Sequence, residues 1–443
     1  MSDINFKVYP QTNRIPGVFQ EVDATQSNTA QPNQLALLIG QMLPGGTYTP
    51  NVPVISTGIG DVHTGAGQGS MLAQMLFRYR KSDTFREVWL LPLADAAGAV
   101  AATGSTTITG PATGAGTIAL YLAGRLISVA VSIGDTATVI GANVLAAMAL
   151  IPSLPVSASN AAGVITFTAL HKGLAGNDID IGLSYLGPAA GQVLPAGVAI
   201  AITPMSGGTT NPSLTAALAN IAGNMAFDFI ALAYTDPTSL NAMQSFLDDN
   251  TGRWSWQQQL FGGCFAFKSG SFSVLDTTGL ARNDRHMSIL GAYGIPTPPW
   301  ECAADYTAAF AVSSAANPAT PLNTTALTIM APPVQSRFTN SENNSLLYAG
   351  ISTLYTDDSN TVRIQRAITT YQTAPSGAPD NSFLNVERMY TLQFMLRDMI
   401  TYLKSRYSQS ILVPDGTRIQ FGSGMTTAQL RRRTKTTDSG GLP

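Results

Sequence analysis

His63, His171 and His286 are the only histidines in this 443-residue chain. None stands three or four residues from another, so no pair shares a helix face as zinc ligands usually do. The tripeptide Asp61-Val62-His63 places an acid beside a base that could serve a serine nucleophile. No G-x-S-x-G elbow follows to present that serine. "HTGAGQGSM" (63–71) leads glycines toward a helix N-terminus, an arrangement that can hold phosphate. It lacks the Lys-Ser/Thr ending of a phosphate loop and the spacing of a dinucleotide fingerprint. It reads instead as a turn that ends in the helix cap Ser70. His171 lies in "HKGLAGND", a polar turn. The acidic pairs Asp248-Asp249 and Asp357-Asp358 fall at a helix end and in a turn, where solvated carboxylates are expected. Cys264 and Cys302 have apolar neighbours and read as two buried free thiols of a protein made in a reducing compartment. "RRRTK" (431–435), the one basic run, reads as a solvated tail. These patterns predict no catalytic residue, no cofactor and no metal site.

The elements that would position such residues alternate in type from Leu35 onward. "LALLIG" (35–40) is a short apolar run suited to a buried strand. "SMLAQMLFRYRK" (70–81) sets Met71, Leu72, Met75, Leu76 and Tyr79 on one helical face. "EVWLLPL" (87–93) is a strand, 213–225 a helix, 227–236 a strand and 237–250 a helix. "GGCFAFKSG" and "RHMSILGAYG" are further strands. Such alternation predicts a mainly parallel sheet covered on both faces.

Between 96 and 208 the composition shifts to Gly, Ala and Thr. Short strands are expected in "TIALYLAG", "LISVAVSIG", "LPVSASNAAGVITFTAL" and "NDIDIGLSYLG", interrupted by one helix at 136–151. This reads as a separate β-rich domain inserted between two halves of the α/β layer. After 336, two strands are expected around the turn "TDDSN". A long helix follows in which Met389, Leu392, Leu396, Met399, Ile400, Leu403 and Tyr407 recur at helical steps.

Hydrophobic residues make up 45 % of the chain and charged ones only 11 %, well below the roughly 25 % of common soluble domains. A folded chain with so few charges either hides much of its surface in an assembly or lives where solubility is guarded otherwise. A net charge of −2 and a pI near 5.9 argue against a nucleic-acid partner. No run of about 18 apolar residues predicts membrane insertion, and "MSDINFKVYP" has no signal-peptide core. The segment "RIPGVFQEVDATQSNTAQPN" (14–33) holds a poor core strand. Val18, Gln20 and Val22 share one face, Phe19 and Glu21 the other, and a polar stretch separates them from Leu35.

Several stretches together resemble contractile phage tail sheath proteins of the Mu-like branch. "IPGVFQEVD" is similar to that family's P-G-V-Y-x-E-x opening. "SRFTNSENNSLLYAGIST" (336–353) is similar to its R-F-T-x-x-x-N-x-L-L-x-x-G-I-S-T block, and "VRIQRAITTYQ" (362–372) to its R-x-I-T-T-Y strand. "NSFLNVERMYTLQFMLRDMITYL" (381–403), "ILVPDGTRIQFG" (411–422) and "FRYRKSDTFREVWLLPL" (77–93) match its later helix, its D-G-T-R-F-G turn and its first-half helix and strand. The resemblance covers nearly the whole chain and rests on the order of these blocks.

The resemblance implies a structural subunit with no enzymatic activity. Its copies form hexameric rings stacked helically around a tail tube protein, between a baseplate and a tail terminator. Contraction drives the tube through the host envelope. The location implied is the virion tail, after assembly in the host bacterial cytoplasm. The fold implied is α/β: a subtilisin-like layer without catalytic residues (34–95 and 209–335), an outward-facing β-rich insert (96–208) and a C-terminal α+β sheath domain (336–443). Residues 1–33 would be an extended arm and tether. Ile15, Gly17, Val18, Phe19, Gln20, Glu21 and Val22 would add a strand to a sheet of a neighbouring subunit. The ten or so tether residues reach on the order of 35 Å. A frayed terminus, or an edge strand on its own domain, is the plainer alternative. The ending "GSGMTTAQLRRRTKTTDSGGLP" is polar, Gly-rich and not strand-like, so the family's final strand is expected to be missing or replaced and unaided polymerisation weak.

Other readings divide by class. A phage-derived, bacteriocin-like particle would use the same subunit. An enzyme on a subtilisin-like or phosphate-loop scaffold needs a histidine paired with a nucleophile, or a lysine in the glycine loop. A secreted adhesin needs an export signal.

Overall fold

A computed structural model describes residues 34–407, 411–413 and 424–426. The chain divides into two units, Met1–Gln34 and Leu35–Pro443, and every element below belongs to the second. Its first segment comprises β1 (Leu35–Gln41), β2 (Val54–Ile55), α1 (Ile59–Gly65), α2 (Met71–Ser82) and β3 (Val88–Leu93). β1 is central and buried on both faces, with Ala36, Leu37, Leu38 and Ile39 at 0 % exposure. That environment explains a continuous apolar run where a half-exposed strand would alternate. α2 starts as its sequence requires: the Ala73 amide donates to Ser70 Oγ at 3.1 Å.

Between 96 and 208 lie β4 (Thr103–Thr109), β5 (Gly116–Leu122), β6 (Arg125–Val131), α3 (Ala137–Ala149), β7 (Val156–Ala161), β8 (Val164–Ala169), β9 (Ile181–Leu183) and β10 (Ala199–Ser206). They form two antiparallel sheets of their own, ordered β10-β4-β8-β7 and β6-β5-β9. β4 and β10 escape the sequence reading because Gly, Thr and Ala mask their alternation. Even so, Gly104, Thr106 and Ile108 of β4 point inward.

The layer resumes with α4 (Thr215–Ala219), β11 (Phe227–Leu232), α5 (Pro237–Leu247), β12 (Gly263–Ser269), α6 (Phe272–Leu280), β13 (Met287–Ala292) and α7 (Pro299–Ala316). α4 is far shorter than the helix expected over 213–225, since Asn220 closes it and Gly223 follows. The six-stranded sheet runs β13-β12-β11-β1-β3-β2. Five strands are parallel and only the edge β2 is antiparallel. The strand order reverses between β1 and β11. In open α/β sheets a crevice at the carboxyl ends of such strands is where ligands bind.

The chain then forms α8 (Asn340–Tyr348), β14 (Thr353–Thr356), β15 (Val362–Arg366), α9 (Val386–Tyr407), β16 (Ile411–Val413) and β17 (Gly424–Thr426). Thr339 and Glu342 close a capping box on α8. In α9, Met389 is buried and Leu392, Leu396 and Ile400 pack on the core. Met399, expected on the same face, is 37 % exposed. Gly424-Met425-Thr426, expected to be non-strand, pairs in parallel with Ile411–Val413.

Candidate functional site

The crevice at the switch point is the first place to look for chemistry, and the chain itself fills it. Gln41, at the carboxyl end of β1, is fully buried. Its amide donates to Asp95 Oδ1 at 2.8 Å and to the Lys172 carbonyl at 2.7 Å, and its Oε1 accepts from the Tyr234 hydroxyl at 3.2 Å. Asn211 donates to Asp236, which in turn caps α5. Residues 171–177 and 208–211 thus occupy the space a ligand would take.

The glycine loop is covered in the same way. A Cβ on Gly69 would meet the Leu154 carbonyl at 2.6 Å, and Ser70 is fully buried. Gln74 of α2 donates to the Ser153 carbonyl at 2.9 Å and accepts from Trp300 Nε1 at 2.8 Å. The backbone of 152–154 therefore lies over the α2 N-terminus, where a phosphate would have to sit.

His63 lies in the last turn of α1, and Asp61 accepts from the Tyr48 hydroxyl at 2.9 Å. His171 corrects the polar-turn reading. It is completely buried, edge-on to Trp300 at 5.2 Å, and neither ring nitrogen has a hydrogen-bond partner. Burial pulls its pKa down to about 4, so the ring is neutral. His286 Nε2 lies 3.0 Å from Asp249 Oδ1, which also takes Arg285 Nη2 at 2.6 Å. Asp249 is thus paired rather than simply solvated. Burial raises its pKa, but the bonds from His286 and Arg285 outweigh that and lower it to about 2. Asp248 and Asp357 accept backbone amides in turns, and Asp357 also pairs with Arg363. Cys264 and Cys302 are buried free thiols. Among the described residues no group of three or more His, Cys, Asp or Glu could hold a metal ion. No described helix is long and apolar enough to cross a membrane. The arm residues Ile15, Gly17, Val18, Phe19, Gln20, Glu21 and Val22 lie outside the described residues, as does the 431–435 run.

Two buried ion clusters went unread in the sequence. Glu301 of α7 is 0 % exposed. Its Oε2 takes Arg78 Nε at 2.9 Å and Nη2 at 2.6 Å, and its Oε1 faces Arg125 Nη2 at 3.1 Å. Arg78 belongs to α2 and Arg125 to β6, so one carboxylate ties the 96–208 segment to two helices of the layer. Burial disfavours the Arg78 charge, but Glu301 outweighs it and holds the pKa above its ordinary value. Tyr185 adds a hydrogen bond to the Ala331 carbonyl at 2.5 Å. A signal for this joint was available: Glu301 and Asp305 are the only charged residues in the 18-residue, Ala-rich α7. In the second cluster Asp228 of β11 accepts from Gln393 at 2.6 Å and from Arg397, both of α9, and from the Leu35 amide at 3.2 Å. Burial raises the Asp228 pKa against the pull of Arg397. Both clusters use their charges to hold elements together.

Comparison with known proteins agrees with that reading. Residues 207–370 match the model of the phage tail sheath protein central domain. The chain is 32 % identical over 431 residues to the Mu-like prophage FluMu tail sheath protein of Haemophilus influenzae, covering 97 % of this chain and 87 % of that one. Among solved structures, the sheath tail protein of Desulfitobacterium hafniense is 13 % identical with a TM-score of 0.44, covering 88 % of this chain and 83 % of that one. The contracted helical sheath of the anti-feeding prophage is 11 % identical, also at 0.44, with 97 % and 85 % covered. At those scores the structural likeness adds nothing to the assignment, which rests on the sequence relative. The chain belongs to the phage tail sheath family and is a structural tail protein rather than an enzyme.

Proposed function

We propose that this chain is the repeating subunit of a contractile sheath. Copies form hexameric rings that stack helically on a tail tube, between baseplate and terminator, after assembly in the host cytoplasm. The single observation that carries the reading is the 32 % identity to a tail sheath protein along nearly the full length of both chains. The low content of charged residues, 11 %, suits a surface covered by neighbours. Residues Ile15 to Val22 extend to a neighbouring subunit and add a strand to one of its sheets. A bacteriocin-like particle would use the same subunit, and neighbouring genes distinguish the two.

The layout we propose is a subtilisin-like layer (34–95 and 209–335), an insert (96–208) and a C-terminal domain (336–443). The five parallel strands support the first part, and the two separate antiparallel sheets support the second. The Glu301 joint argues that the insert is bolted to the layer rather than loosely tethered. Deleting residues 1–33 tests the arm. The shortened chain should keep its thermal unfolding within a few degrees and fail to form sheaths. Collapse of the fold would show that the strand serves its own domain.

A further inference from the structure

Arg253 is buried, with 4 % of its surface exposed. Its guanidinium lies over the Phe246 ring at 5.1 Å. Nη2 is enclosed and has no hydrogen-bond partner among the described residues. Burial first, and then repulsion from Arg397, lower the Arg253 pKa to about 10, so the group is still charged at neutral pH. The acids on adjoining segments are committed elsewhere. Asp228 takes Gln393 and Arg397, Asp248 takes the Asn250 and Thr251 amides, and Asp249 takes Arg285 and His286. A buried cation without a counter-ion is costly, so a site that keeps one is poised to accept an anion. Arg253 also lines a cleft of about 650 Å³ between α4, the C-terminal turn of α5 and the 251–258 loop. Leu218, Ile221 and Phe246 give the cleft apolar walls, and Ser245 and Gln258 are among its polar lining. Among the described residues no Asp or Glu lines it.

We propose that this cleft binds a carboxylate carried on an apolar stem, its oxygens pairing with the Arg253 guanidinium. The inference does not depend on the sheath reading. Arg253 brings one positive charge, and its planar fork matches the two oxygens of a carboxylate. A phosphate dianion needs a second free cation, whereas Arg397 is already held by Asp228 and by the Phe261 carbonyl. The apolar walls favour an acid with a hydrocarbon body over acetate. Such a group belongs either to a free short-chain acid or to the C-terminal residue of a peptide. The two share this chemistry, and the test separates them.

The test is isothermal titration of the full-length chain with hexanoate, with N-acetyl-Leu-Leu bearing a free carboxyl group, and with inorganic phosphate. At least one of the two carboxylates should saturate a single site with a Kd on the order of 1 mM, and the tighter of them identifies the source. The neutral counterparts, hexanol and the peptide amide, should bind at least roughly tenfold more weakly. Arg253→Met should weaken the carboxylate by a similar factor and leave the fold intact, because it removes a buried charge that has no partner. Ser245→Trp, at an exposed position on the cleft wall, keeps Arg253 in place and should block binding by filling the cleft. The second variant decides the matter if the first fails to fold. The inference is overturned by no saturable binding of either carboxylate, by tighter binding of phosphate, by equal binding of the neutral counterparts, or by undiminished binding in either folded variant.

Discussion

Replacing Glu301 by Gln should loosen the joint between the 96–208 segment and the layer. Glu301 has no exposed surface, and the Arg78 and Arg125 side chains retain 12 % and 19 % of theirs. Removing one partner of a buried pair costs about 3–5 kcal/mol, because a charge is left without its counter-charge. Here both arginines keep some access to water, and Arg78 also donates to the Thr328 carbonyl at 2.8 Å. The lower figure, about 3 kcal/mol, is therefore expected. Equilibrium urea unfolding followed by tryptophan fluorescence measures it, since Trp300 adjoins Glu301 in α7. Arg125→Met cuts only the link to β6 and should cost less, about 1–2 kcal/mol. The two changes should not add. The double variant should fall short of the sum by about 1 kcal/mol or more, because both remove the same contact. Strict additivity would refute the claim that Glu301 couples the segment to the layer. A loss that vanishes in high salt would place the pair in solvent rather than in the interior.

His171→Phe should remove an acid sensitivity. The folded pKa of about 4 lies below the ordinary 6.5, so the unfolded chain takes up a proton first. Stability is therefore full above pH 6.5, falls between 6.5 and 4 and is level below. The loss amounts to about 3 kcal/mol at 1.36 kcal/mol per pH unit, and urea unfolding across that range should show it flattened in the variant. Ser70→Ala should cost about 1 kcal/mol through the lost cap on α2, read from the shift of the urea midpoint. Arg397→Met should loosen α9, and hydrogen exchange in 386–400 should quicken by roughly 100-fold if about 3 kcal/mol is lost. Unchanged exchange there would mean that Gln393 and the Leu35 amide satisfy Asp228 without Arg397.

The central sheet was legible because strands buried on both faces are largely apolar, as in Leu35 to Gly40 and Phe229 to Leu232. The start of α2 was legible because a cap is a local event. β4 and β10 were not, since small residues give almost no amphipathic signal. α7 was missed for the opposite reason: it is apolar nearly all round, so no face stands out. His171 was misread because a polar residue among glycines looks like a surface turn. Only the tertiary fold shows that this turn plugs the switch-point crevice. The packing of the switch-point crevice, where buried Gln41 bonds Asp95 and the Lys172 carbonyl, is visible only in three dimensions.

Electron microscopy of the full-length chain, co-expressed with its tail tube protein, tests the central claim most directly. Tubes wrapped in a regular striated sheath are predicted, with bare tubes when residues 1–33 are removed. Bare tubes from the full-length chain, with the protein left as dispersed monomers, would contradict the assignment of this chain as the sheath subunit.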